Sequence, residues 1–138
     1  MWWIFALLSA VFAALTAIFA KVGIKGVDTD LATAIRTVVI LILAWGIAFF
    51  RGGTSTMQSL TKQNIIFLCL SGIATGLSWI FYFKALQLGK VSQVAPVDKL
   101  SVAIAIILSV IFLGEKISTQ GMIGAGMIIA GTIVLIYS

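Results

Sequence analysis

Arg36, Lys84 and Asp98 each interrupt a long apolar run. A charge at membrane depth is costly and by default marks a functional site. An embedded carboxylate is a proton carrier when unpaired and a charge partner when a cation stands beside it. Asp98 is therefore a candidate coupling or binding carboxylate, with Lys84 or Arg36 as possible partners. With Lys99 the embedded set is three cations to one carboxylate, which suits a ligand carrying an anionic group such as a carboxylate. Trp79, Tyr82 and Phe83 are candidate aromatic walls of such a cavity, or simply packing and lipid-facing rings. Arg36 and Lys99 also have stems long enough to snorkel to the interface, which Asp98 lacks. Pro96 removes one helical hydrogen bond, giving either a static kink or a bend used in gating. Glu115, beside Lys116 at a helix end, reads as an interface residue.

Other chemistry is scarce. The chain has no histidine and one cysteine, Cys69, so neither an intrachain disulfide nor a metal cluster is expected. Asp28, Asp30, Asp98 and Glu115 are the four carboxylates. No catalytic nucleophile or phosphate-binding loop is visible, so neither an enzyme nor a bound cofactor is expected. The net charge of +5 lacks a basic stripe with interleaved aromatics and does not point to nucleic acid. Basic residues flanking apolar runs instead set topology and meet lipid headgroups.

The elements that must position these residues are read from the apolar pattern. Of the 138 residues, 62% are hydrophobic and 9% charged, against about 25% charged in a soluble domain. Polar residues cluster between apolar runs, which is the membrane pattern. The reading is an all-α integral membrane protein, one domain over 1–138, with five transmembrane helices at about 2–20, 31–50, 64–88, 91–113 and 120–137. Each is long enough for a roughly 30 Å hydrocarbon layer. The alternation of barrel strands is absent. The opening MWWIFALLSAVF has no basic n-region and reads as a retained first span, with Trp2 and Trp3 as interface anchors. Residues 51–63, rich in Gly, Ser and Thr, read as a flexible loop.

Small residues recur at helix-packing spacing. Gly121 with Ala125 and Gly126 with Ala130 lie four apart in the last span, with Gly124 and Gly131 beside them. They serve either packing within the chain or a subunit interface.

From Phe81 the chain reads FYFKALQLGKVSQVAPVDKLSVAIAIILSVIFLGEKIS, followed from Gly121 by GMIGAGMIIAGTIVLI. The A-L-x-x-G element (Ala85, Leu86, Gly89), Ser92, the early Pro96, the F-L-G-E close (Phe112–Glu115) and the G-x-x-x-I-x-x-G run (Gly124–Gly131) carry a resemblance. Together with Lys21 and Gly23 closing the first helix, this order resembles the EamA-type half of the drug/metabolite transporter superfamily, over essentially the whole chain. The resemblance implies a cell-membrane (inner or cytoplasmic) multi-pass transporter of small molecules working by alternating access. Family members usually hold ten helices as two inverted five-helix repeats, whereas this sequence holds one. It also lacks the first-helix glutamate of the small multidrug-resistance relatives.

Transporter sites commonly lie between inverted repeats, so a lone repeat needs a second copy inserted upside down or a homologous partner chain. Loops on the N-terminal face hold Arg51, Lys62 and Lys116, and those on the other face hold Lys21, Lys25 and Lys90. This balance of three against three permits dual topology and an antiparallel homodimer. Counting Arg36, Lys84 and Lys99 makes it six against three and would favour one orientation. A half-transporter with a different partner, or a non-transporting regulatory subunit, are the alternatives.

Overall fold

A computed structural model describes all residues, Met1–Ser138. Its helices are α1 (Trp2–Gly23), α2 (Thr29–Phe50), α3 (Lys62–Leu88), α4 (Val91–Asp98), α5 (Leu100–Leu113) and α6 (Thr119–Ile136), with a 3₁₀ helix at Gly53–Ser59. The chain is an all-α integral membrane protein whose five spans are α1, α2, α3, the 23-residue stretch Val91–Leu113 and α6. Their large apolar side chains are mostly exposed in the protomer, as at Phe50 and Phe112, which is how a surface meant for lipid looks.

Helix ends differ from the sequence expectation where a cap or a cation changes the local balance. Asp28 accepts from the N–H groups of Asp30 and Leu31 at 3.0 and 3.1 Å, so α2 starts at Thr29. Thr61 accepts from Asn64 N–H at 3.2 Å and starts α3 at Lys62. Lys21 sits in the last turn of α1, where a cation complements the helix dipole, and α1 runs on to Gly23. Part of the expected flexible loop is instead the 3₁₀ helix. The hydroxyls of Ser55, Thr56 and Ser59 donate to the carbonyls of Gly52, Gly53 and Thr56 at 2.6–2.8 Å, which holds this tight turn geometry.

Two compact units divide the chain. The first comprises Met1–Phe19 and Ala85–Ser138. In it α6 packs along both α4 and α5. The second comprises Ala20–Lys84. In it α2 starts among the buried Ile24, Thr29 and Thr33, and Phe83 is almost fully buried.

The fourth span is broken. Pro96 lies inside α4, and the helix closes at Asp98 with Lys99 as its cap. Lys99 N–H donates to Pro96 O at 3.0 Å and to Ala95 O at 3.3 Å, and Val102 N–H donates to Lys99 O at 3.0 Å. Bonds to the third preceding carbonyl tighten the backbone here into a 3₁₀-like step before α5 begins. The span expected at about 91–113, with a disturbance at Pro96, is thus two helical pieces that meet at Lys99.

Candidate functional site

In the unit formed by residues 20–84, Arg36 lies roughly 10 Å along α2 from Thr29 and is half-buried. Its guanidinium carbon lies 4.5 Å from the centre of the Trp79 ring and 5.0 Å from that of Phe83. Trp79 and Phe83 stand four apart on α3, a spacing that places both on one face. Tyr82 lies beside Phe83, ring centres 6.3 Å apart and tilted by 42°. The structure thus brings together three aromatics and one cation that the sequence singled out, and the partner it gives Arg36 is aromatic. A cation over aromatic faces gains about 0.5–1 kcal/mol when exposed and about 2 kcal/mol or more when desolvated. A guanidinium carries five N–H donors and can pair in bidentate fashion with a carboxylate.

The same helix carries two threonines whose hydroxyls serve only their own helix. Thr33 Oγ1 donates to Thr29 O at 2.8 Å, and Thr37 Oγ1 to Thr33 O at 2.7 Å. Their donors are therefore satisfied without a partner helix or water. Lys84, one turn before the end of α3, is exposed.

In the unit containing residues 85–138, Asp98 is half-buried at the end of α4. Its Oδ2 lies 3.6 Å from Lys99 Nζ. The cation that meets Asp98 is thus its neighbour in sequence, whereas the sequence reading considered Lys84 or Arg36. The break at Lys99 ends the regular helix there, so the long lysine stem can fold back on the adjoining carboxylate. The pair is partly exposed and of the kind that contributes at most about 1 kcal/mol.

Thr132 was missed by sequence reasoning. It is almost fully buried in α6. Its Oγ1 lies 2.8 Å from Ile128 O and 3.2 Å from Pro96 O, across 36 residues of sequence. The available signal was a hydroxyl four residues after Ile128 in an uncharged span. On the same helix Gly121, Gly124 and Ala125 are half-buried, while Gly126, Ala130 and Gly131 are exposed. A methyl added at Gly121 would meet Ile117 Cγ2 at 2.9 Å, but at Gly124, Gly126 or Gly131 it would meet nothing within 4 Å.

Five spans and an apolar surface define a multi-pass membrane protein. Residues 1–137 match the EamA-like transporter family, and the chain belongs to that family. It is 48% identical to the "uncharacterized transporter in cobO 3′ region" of Sinorhizobium sp over 134 residues, covering 97% of this chain and 95% of that protein. It is 34% identical over 77 residues to an uncharacterized protein of Methanocaldococcus jannaschii, covering 55% of this chain and 56% of that one. No solved structure matches the chain.

Proposed function

We propose that the chain is a transporter protomer of the drug/metabolite type that moves a small metabolite with an anionic group across the cell membrane by alternating access. The observation that carries this reading is Arg36, inside a membrane span and backed by Trp79 and Phe83. The rings hold the guanidinium, whose fork of N–H donors matches a carboxylate. Lys84 adds cationic charge on α3, and Asp98 is the candidate coupling carboxylate. Pro96 is the candidate kink used in gating the fourth span.

The protomer works as a dimer, antiparallel in the membrane. A transporter site between inverted repeats needs two of them, and the Sinorhizobium relative is itself matched over nearly its whole length by a five-span chain. The open glycines Gly124, Gly126 and Gly131 leave room on α6 for the close approach of a second helix.

The test is counterflow uptake of radiolabelled amino acids and organic acids into proteoliposomes. At least one carboxylate accumulates with the wild type and fails to with Arg36→Met. Uptake confined to neutral or cationic compounds would overturn the anionic assignment.

A further inference from the structure

We infer that Thr132 is a positioning residue: its hydroxyl latches α6 to the break in the fourth span and can let go without losing a hydrogen-bond acceptor. The argument begins with the proton count. A threonine hydroxyl has one hydrogen to donate, yet Thr132 Oγ1 is within reach of two carbonyls, Ile128 O at 2.8 Å and Pro96 O at 3.2 Å. Ile128 is on its own helix and travels with it. Pro96 is on α4, and its carbonyl accepts one of the 3₁₀-like bonds at which that helix ends.

The Pro96 carbonyl is served twice as well, by Thr132 and by Lys99 N–H at 3.0 Å. If α4 swings away from α6, the hydroxyl keeps Ile128 O and the carbonyl keeps Lys99 N–H. Neither group is left bare in an apolar environment, where an unpaired polar group costs several kcal/mol. A contact of this kind can form and release during a transport cycle, whereas a bond between two singly satisfied groups resists opening. What it positions is the half-helix that ends in Asp98. The role in transport rests on the function proposed above; the latch itself does not.

The experiment reads the latch without transport. In a Cys69→Ser background, spin labels are placed at Ser92 on α4 and Val134 on α6, and as a control at Ile107 on α5 and Met127 on α6. The protein is reconstituted with excess unlabelled protomer, so that distances within one chain dominate. Thr132→Val keeps the shape and removes the hydroxyl; Thr132→Ser keeps the hydroxyl. With valine the α4–α6 distance gains a second, displaced population while the α5–α6 distance stays put, and with serine both match the wild type. An α4–α6 distribution unchanged by valine would overturn the latch, as would equal shifts in both pairs, which would mean general loosening. Thr132→Ala repeats the comparison should the valine protein fail to elute as the wild type does. Absence of counterflow by the wild type with every compound tried would sink the transport reading and leave this result standing.

Discussion

The Arg36 guanidinium carbon stands 4.5 Å from the centre of the Trp79 ring, a contact that ties α2 to α3 across 43 positions of sequence. In a protein whose other tryptophans, Trp2, Trp3 and Trp45, are replaced by phenylalanine, Trp79 emission reports on that contact. Arg36→Met shifts the emission and lowers stability by about 1–2 kcal/mol, the scale of a partly desolvated cation–π contact. Arg36→Lys keeps the charge but not the guanidinium and falls between. An emission maximum indifferent to Arg36 is incompatible with this geometry.

Asp98 and Lys99 separate an ion pair from a functional carboxylate. Because their pair is partly exposed, Lys99→Met costs under about 1 kcal/mol in thermal or denaturant unfolding and leaves counterflow near wild type. Asp98→Asn preserves size and removes the charge, and it reduces counterflow by at least tenfold. Wild-type counterflow by Asp98→Asn would remove the coupling role.

Gly114 closes α5 with φ at +65°, a conformation that a side chain disfavours. Gly114→Ala therefore lowers stability by about 1 kcal/mol. Gly126→Ala, with open space around the added methyl, leaves protomer stability within about 0.5 kcal/mol but weakens the dimer if α6 forms the interface. Unfolding midpoints and cross-linking yields in proteoliposomes separate the two effects.

Orientation is read by single cysteines at Ser55 and Ser138 in a Cys69→Ser background, labelled from outside intact cells. For the antiparallel homodimer each site labels in a fraction of molecules, and the remainder only after permeabilisation. Labelling of Ser55 and Ser138 on strictly opposite sides of the membrane would fix the topology and assign the inverted repeat to a different chain.

The five spans were legible because composition alone decides them: runs of some twenty apolar residues have no soluble alternative. The ends were less legible, since they depend on a side chain such as Asp28 folding back on two amides. Pro96 flagged a disturbance but did not locate the break at Lys99, which depends on bonds to third-preceding carbonyls. Arg36, Trp79 and Phe83 were each visible as unusual residues, but no periodicity links α2 to α3, so their contact was not. Thr132 was hidden for the opposite reason: one hydroxyl in a uniform apolar helix carries no signal until the carbonyl of Pro96 is seen beside it.

The connection between α5 and α6 is only the stretch 114–118, turned by Gly114 and ended by Ser118, which caps α6 through Gly121 N–H at 3.1 Å. So short a polar stretch ties the fates of the two helices during synthesis. The last span is the shortest and least apolar of the five, so it is the one with least reason to enter lipid by itself. Leaving the ribosome directly behind the strongly apolar α5, it is presented to the bilayer as the second arm of a helical hairpin. Lengthening this connector is therefore expected to lower the yield of inserted α6 when the chain is synthesised into membranes.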